Sequence, residues 1–293
     1  MEKEQITIQS LASRQQIMVD YSDDDVVIID NIKKLSEPNT ARIKMNLIAF
    51  AKKGKVQAVL GNDVVTLAEN QLLLCPPNSV FTDFMFSPDF DFGAVFLSNR
   101  IIQSFLREKI SVWNEVMYIH KRHVVTLEER DMDFMFHFYS LLRLMIDAPV
   151  NVYTYRSECI QGLLRCAVLG LCGVLRSKMP QIGESRLTQG VNLFQQFLDL
   201  LGGEGSKYRK VEDYASELCI SPKYLSVVCK KASGKTANEW IREHVLEDIR
   251  YYLKQTDLPM KQIASRLGFA NPSFFGKYVK DHFGMTPMQF RVR

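Results

Sequence analysis

The chain has 293 residues, of which 46% are hydrophobic and 24% are charged, an ordinary composition for a soluble protein of two domains. Its net charge of +4 is unevenly distributed. Residues 186–293 carry 17 lysines and arginines against 11 acidic residues, whereas residues 1–185 carry 20 against 22. Because all the positive excess lies in the last third, that part has the charge expected of a domain that binds a polyanion.

Targeting signals and cysteine usage indicate the cellular compartment of the protein. The polar, acidic start of the sequence predicts no secretory signal, and the longest uncharged apolar run, Cys166–Leu175, is about half the length of a membrane span. The six cysteines form no C-x-x-C pair and stand in apolar surroundings, so we expect reduced, buried thiols. Together these features predict a cytoplasmic protein without a membrane segment.

Short strands dominate the first hundred residues. Apolar segments are separated by turn residues, of which Gly61-Asn62 is a hairpin signal. The predicted strands are Val26–Ile29, Arg42–Ala51, Lys55–Leu60, Val64–Leu67, Leu72–Cys75, Val80–Phe86 and Phe92–Leu97. Seven short strands at this spacing predict a small antiparallel barrel or sandwich.

Two kinds of interior fit these strands. The phenylalanines between residues 81 and 96 either fill the core or line a cavity for a small ligand, and the residues alone do not decide. No histidine occurs from residue 1 to 119, so the strands lack the ligands of a catalytic metal. His120 and His123 lie in the cationic HKRH and fit surface positions, and His137 in an apolar run fits a packed one. We therefore predict no metal, no cofactor and no catalytic residue.

Helical patterns follow the strands. The sequence predicts helices over Asn99–Lys109 and from Thr126, as N-cap of a capping box with Glu129, to about Ile146. A third helix, about Tyr153–Lys178, is apolar nearly all round, so it is either buried within one subunit or shared with a second copy of the chain. Its end leads into a linker with a proline and a glycine, and Leu187–Leu201 is the next helix.

The stretch Pro259–Pro287 has the pattern of two short helices joined by a tight turn. The first helix carries an apolar stripe at helical spacing and ends at Gly268, and Asn271-Pro272 starts the second as N-cap and first residue. On the second helix Phe275 and Val279 share the packed face. The outward face is small and cationic, as entry into a DNA major groove requires, and consists of Ser273, Gly276, Lys277 and Lys280.

An earlier copy of this pattern begins at Val211. Matching positions are 49 residues apart before the turn and 50 apart after it, so the second turn holds one extra residue. The matches fall on apolar, capping and turn positions together, which chance does not readily produce. They include Tyr214 with Ile263, Ala215 with Ala264, Ser221 with Asn271, Leu225 with Phe275, Cys229 with Val279, Gly234 with Gly284, Thr236 with Thr286, and Trp240 with Phe290. This repeat predicts two helix-turn-helix units.

The segment GFANPSFFGKYVKDHFGMTP, with a similar helix pair about fifty residues upstream, resembles the C-terminal DNA-binding domain of AraC/XylS-family transcription regulators. The resemblance covers about residues 186–293. It implies an α+β protein: an N-terminal cupin-like antiparallel β-barrel followed by helices, then an all-α domain with two helix-turn-helix units. The implied parts are a barrel at 1–125, a helical dimerisation region at 126–178, a linker at 179–186, and a DNA-binding domain at 187–293 with units at about 211–233 and 260–283.

The resemblance implies that the second helix of each unit reads DNA. These reading helices are Pro222 to about Ser233 and Pro272 to about Phe283, joined by a helix from Thr236 to about Lys254. That connecting helix spans roughly 28 Å at ~1.5 Å per residue, close to one DNA turn of about 34 Å. The chain departs from the family where Cys229 and Val279 replace large aromatic residues.

Roles within the reading helices follow from side-chain chemistry. We expect base-edge contacts from Lys277 with Ser273 in the second unit, and from Lys223 with Ser226 in the first. Val227 stands where the family often has arginine, so an apolar contact with a thymine methyl is expected there. Gly276 lies on the same outward face of the second helix. The residues expected to fix phosphates are Lys230, Asn271 and Lys280.

These features predict a sequence-specific DNA-binding transcription regulator, not an enzyme. Its predicted partners are double-stranded DNA and a second copy of the chain, and the resemblance also allows RNA polymerase and a small-molecule effector in the barrel. A non-specific architectural DNA-binding protein is the alternative, and a cupin enzyme with a regulatory tail is a more distant one. The sequence gives neither the operator, the effector, nor the sign of regulation.

Overall fold

The computed structural model describes residues 5–6, 20–30, 40–120, 123–149, 152–178, 189–202 and 210–292. The chain divides into two compact units. The sheet unit comprises residues 1–106 and 120–179, and the helical unit comprises residues 107–119 and 180–293. The predicted α+β class is confirmed. The linker predicted at 179–186 lies outside the described residues.

Eleven strands are present in the described part of the sheet unit, and they form two sheets. The strands are β1 Gln5–Ile6, β2 Tyr21–Ser22, β3 Val26–Asp30, β4 Thr40–Ile43, β5 Asn46–Lys53, β6 Lys55–Leu60, β7 Asp63–Ala68, β8 Gln71–Cys75, β9 Ser79–Phe86, β10 Asp91–Leu97 and β11 Val124–Thr126. One sheet has the order β1-β4-β9-β6-β7 and the other β11-β8-β5-β10-β3-β2. Their described strand pairs are antiparallel except for β1 with β4. The sheets do not close into a barrel, so the sandwich is the better description.

Side-chain alternation explains how the sheets meet. On β5, Leu47 and Ala49 belong to an apolar cluster drawn from both sheets, and Ile48 and Phe50 point to the other face. Phenylalanines fill this cluster, which agrees with the filled interior of the two alternatives: Phe81, Phe90, Phe92 and Phe96. Gly93 in β10 lies opposite Phe50, where an added Cβ would come within 2.6 Å of the Phe50 ring.

Two sequence predictions in this unit were wrong in detail. The strand predicted over Arg42–Ala51 is broken, and its halves β4 and β5 belong to different sheets. Thr126 does not cap a helix, because it lies in β11, where its backbone pairs with Gln71 of β8. The following helix starts at Glu129 and its N-cap residue, Glu128, makes no side-chain capping bond.

Three α-helices accompany the sheets: α1 Asn99–Leu106, α3 Glu129–Asp147 and α4 Arg156–Lys178. Each buries one face, and α4 packs against both α1 and α3. By length and composition α4 alone, among the described helices, would suffice to cross a membrane, with a mean hydropathy of 1.6 over its most apolar window. Core helices of soluble proteins also meet this test, so α4 by itself does not assign a membrane span.

The helical unit contains a short segment from the N-terminal half of the chain. It consists of a 3₁₀ turn at Arg107–Lys109, α2 Ile110–Asn114 and the first five residues of a π-helical turn at Glu115–His120, whose last residue belongs to the sheet unit. The sequence prediction ended at Lys109 and missed the rest. The remaining helices are α5 Gln189–Gly202, α6 Val211–Glu217, α7 Pro222–Ser233, α8 Ala237–Gln255, α9 Met260–Arg266, α10 Pro272–Phe283 and α11 Pro287–Val292.

Candidate nucleic-acid interface

The helix pairs α6–α7 and α9–α10 share the same backbone hydrogen bonds. The amide of Ile220 donates to the carbonyl of Ala215 at 2.9 Å, and the amide of Phe269 donates to that of Ala264 at 2.8 Å. Both alanines are buried, so in each pair a small residue lies at the close approach of the helices. The predicted repeat is therefore also a structural repeat.

The tight turns of the two pairs need the same unusual backbone conformation. Gly268 has φ of +68°, in the left-handed region that glycine tolerates, and the matching residue Cys219 has φ of +54°. Cys219 is exposed and carries a Cβ in a conformation that favours glycine. The left-handed backbone conformation is therefore less favourable in the first turn, at Cys219, than in the second, at Gly268.

Both reading helices begin and end with the same capping devices. The Ser221 side chain accepts a hydrogen bond from the Tyr224 amide at 3.2 Å, and the Asn271 side chain accepts one from the Phe274 amide at 2.9 Å. A proline follows each cap, and each helix ends at a glycine with positive φ. These caps fix where α7 and α10 start and therefore which side chains point outward.

The outward faces carry the residues that the sequence predicted. Leu225 and Cys229 of α7, and Phe275 and Val279 of α10, are buried against the rest of the unit. Ser226 and Gly276 are half-buried. The other predicted contact residues are exposed, namely Lys223, Val227, Lys230, Asn271, Ser273, Lys277 and Lys280. Within the described residues none of these four lysines has an ion-pair partner, so their charges face solvent.

Two outward residues were missed by the sequence prediction. Phe274 is 61% exposed and Tyr224 is 41% exposed, and they occupy matching positions in the first turns of α10 and α7. Their spacing of 50 residues already linked them in the repeat. The side-chain oxygen of Asn271 accepts the capping hydrogen bond, so its amide group is the donor that Asn271 offers to another partner.

The helix α8 connects the two pairs. Thr236 and Glu239 form a capping box at its start. Its 19 residues span about 28 Å. Near its start Lys235 pairs with Glu243 at 2.7 Å, and the Trp240 indole donates to Ser233, the last residue of α7, at 2.8 Å. The end of the first reading helix is therefore held to the connecting helix.

Residues 107–119 complete the core of this unit. The rings of Tyr118 and Trp240 lie 5.3 Å apart, and Tyr118 also meets Phe194 of α5 at 6.4 Å. Arg107 pairs with Asp248 of α8 at 3.0 Å, and its guanidinium lies 3.6 Å from the centre of the Tyr251 ring. An aromatic cluster and an ion pair thus attach this segment to the connecting helix.

His244, whose side chain is 19% exposed, lies on α8 beside this ion pair. Burial lowers the pKa of its imidazole, since the charged form is desolvated. Asp248, 3.8 Å away, acts in the opposite direction, and Arg107 lowers the pKa further. The neutral imidazole is the form that suits the folded unit.

A small apolar cavity in the sheet unit bears on the predicted effector. It lies between the outer face of β5 and β10 and the helices α3 and α4, and it encloses about 40 Å³. Its lining includes Ile48, Phe50, Val95, Leu142, Leu164 and Val168. Pockets for small-molecule ligands usually measure about 300–1,000 Å³. The cavity is therefore not a preformed site for such a ligand.

Metal-binding and thiol chemistry were also part of the prediction. Among the described residues no group of three or more histidine, cysteine or acidic side chains is placed to hold a metal. All six cysteines are free, and burial raises the pKa of the Cys172 and Cys229 thiols to about 12. The prediction that all six are buried was wrong, because Cys159, Cys166 and Cys219 are exposed.

Comparison with known proteins identifies the repeated helix pairs. A helix-turn-helix domain model matches residues 214–293. The regulatory protein PocR of Salmonella typhimurium is 33% identical over 82 residues, which are 28% of this chain and 27% of PocR. The Msm operon regulatory protein of Streptococcus mutans is 31% identical over 87 residues, or 30% of this chain and 31% of that protein. The chain thus spans less than a third of the length of either relative.

Among solved structures, the AraC-like transcriptional activator CuxR is similar over 76% of both chains, at 13% identity and a TM-score of 0.39. The sequence matches in the last third of the chain carry the assignment. Residues 214–293 therefore form a helix-turn-helix domain of the AraC type.

Proposed function

We propose that the chain is a sequence-specific transcription regulator whose helices α7 and α10 enter two successive major grooves of DNA. The observation that carries the proposal is the pair of matching, capped helices that expose cationic side chains, one before and one after α8 in the chain. A connector of about 28 Å suits a groove repeat of about 34 Å along one side of the duplex.

Within this proposal the outward residues divide into two groups. Lys277 with Ser273, and Lys223 with Ser226, contact base edges, because they lie in the first two turns of the reading helices. The phosphate contacts come from Lys230 and Lys280, one turn further along, and from the free amide of Asn271. Val227, 55% exposed, offers an apolar contact, and the half-buried Gly276 leaves room for a base edge.

The test compares Lys277→Ala with Lys280→Ala on a preferred duplex selected from a random library and on an unrelated duplex. We expect Lys280→Ala to weaken both duplexes alike and to lower the slope of log affinity against log salt by about one. Lys277→Ala should in addition reduce the preference for the selected duplex. Lys55→Ala, which removes an exposed lysine from the sheet unit, is the matched control.

The outcomes distinguish the alternatives. Equal losses on both duplexes for both variants would contradict the assigned roles. A footprint of the natural chain that is independent of sequence would support an architectural DNA-binding protein instead. Stoichiometric iron or zinc in the purified protein would support the cupin enzyme.

The proposal includes a homodimer that forms through α3 and α4. An apolar stripe runs along the solvent side of α3, where Phe134, Leu141 and Leu144 are exposed at helical spacing. On α4 the solvent side carries Cys166 and Leu169, together with glycines that would permit close helix contact. Large exposed apolar surface of this kind marks association sites on soluble proteins.

Control by a small-molecule effector in the sheet unit, and contact with RNA polymerase, complete the proposal. Because the sheet interior is filled, an effector would have to widen the cavity between the sheet and α3–α4. That cavity is lined by the same two helices as the proposed dimer contact. Ligand binding there would therefore alter the placement of the two copies on paired half-sites. A cytoplasmic location follows from this function.

A further inference from the structure

Phe274 is an exposed apolar side chain in the middle of a cationic surface. It is 61% exposed, and no described ring packs against it. Its backbone amide is held by Asn271, so the side chain leaves the helix from a fixed position in the first turn of α10. Lys277 follows one turn later on the same side of the helix. Most of this large apolar side chain therefore lies outside the packing of the unit.

The first reading helix repeats this arrangement. Tyr224 matches Phe274, is 41% exposed, and donates its amide to Ser221 in the same way. Val227 then occupies the position of Lys277. Two matching aromatic residues, each in the first turn of a reading helix, indicate a common partner on the DNA.

The chemistry of the major groove identifies the contact. Among the four bases only thymine presents an apolar group there, its 5-methyl group, and apolar side chains read it by direct contact. The first turn of the second helix in a helix-turn-helix is the part that approaches base edges. Phosphate oxygens would gain no hydrogen bond from the Phe274 ring, which has no polar atom.

We propose that Phe274 reads a thymine methyl group in the second half of the binding site, and that Tyr224 does so in the first half. This inference rests on the proposed function and adds a base preference to it. Apolar contacts would then accompany the lysine contacts in both grooves, in the second unit at Phe274 and in the first at Tyr224 and Val227.

The test removes the methyl group from the DNA. A preferred duplex is first selected with the whole chain from a random library, and each thymine of that duplex is then replaced in turn by deoxyuridine, which lacks only the 5-methyl group. At one position in the half contacted by α10, deoxyuridine should lower the affinity of the natural chain about fourfold, the effect of one buried methylene-sized group. For Phe274→Ala the same replacement should have no effect, and Tyr224→Ala should behave likewise in the other half.

Met288→Ala is the matched control, because Met288 is 60% exposed and lies outside both reading helices. It should respond to deoxyuridine as the natural chain does. A natural chain that binds every deoxyuridine duplex as tightly as the parent would overturn the inference, as would a Phe274→Ala variant that retains the full fourfold effect. A random library that yields no preferred duplex would overturn the proposed function itself, which is a different failure.

Discussion

The ion pair between Arg107 and Asp248 gives a test of whether residues 107–119 are part of the helical unit. The side chains are 30% and 17% exposed, their closest atoms are 3.0 Å apart, and the guanidinium lies over the Tyr251 ring. Arg107→Met keeps the apolar part of the side chain but removes the charge. It leaves the Asp248 carboxylate without its arginine in a largely buried place.

The expected cost follows from these contacts. A hydrogen bond to a charged group contributes about 1.5–3 kcal/mol, and a cation–π contact about 0.5–2 kcal/mol. Because Arg107 is partly exposed, solvent screening reduces both contributions, and we expect the helical unit to lose about 2 kcal/mol of unfolding free energy.

Tryptophan fluorescence reports the unfolding of the helical unit selectively. The chain has two tryptophans, Trp113 and Trp240, and both lie in the helical unit. Urea unfolding followed by their emission should show a lower midpoint for Arg107→Met than for the natural chain. Lys109→Met, which removes an exposed charge from the same segment, should change the free energy by less than about 0.5 kcal/mol. Equal midpoints for the two variants would refute the reasoning.

Three further outcomes are expected. Because burial lowers the pKa of His244, the folded unit favours the neutral ring, so its stability should fall as pH drops below the ordinary histidine pKa of about 6.5. Urea midpoints at about pH 5 and pH 7.5 should differ less in His244→Gln, and an unchanged difference would contradict this. Cys219→Gly should raise the thermal midpoint slightly, since relief of about 1–2 kcal/mol of left-handed strain exceeds the ~0.5–1 kcal/mol entropic cost of glycine. Gly268→Ala should lower the thermal midpoint by a comparable amount. A lower midpoint for Cys219→Gly, or a higher one for Gly268→Ala, would disprove the equivalence of the turns. Leu144→Glu should shift sedimentation from dimer to monomer, whereas Val64→Glu, which changes an apolar side chain that is 63% exposed on β7, should not. A natural chain that sediments as a monomer would exclude the proposed dimer.

Local signals account for what the sequence predicted well. An N-cap followed by proline, and a glycine at the end, define α7 and α10 within the sequence itself, so both helices were located at their observed bounds. The hairpin at Gly61-Asn62 was found for the same reason. Each of these features depends on residues that are close in sequence.

The failures involve partners that are distant in sequence. Thr126 and Glu129 have the spacing of a capping box, but pairing of Thr126 with Gln71 in β8 places it in a strand instead. The break at residues 44–45 separates strands of different sheets, and nothing in the apolar alternation across it indicates that change. The sequence analysis assigned Phe274 to neither face of its helix, and only the fold shows that the ring is exposed.

The two reading helices match each other, but the residues that pack against them differ. In the first unit Trp240 is buried against Tyr118, which comes from residues 107–119, and its indole is bonded to the end of α7. In the second unit the matching residue Phe290 is only half-buried and packs against Phe283 of α10 itself. The first reading helix therefore depends on a segment that the chain contributes between two parts of the sheet unit, and the second does not. For this reason a change at Arg107 should disturb DNA contacts at the α7 half-site before it disturbs those at the α10 half-site.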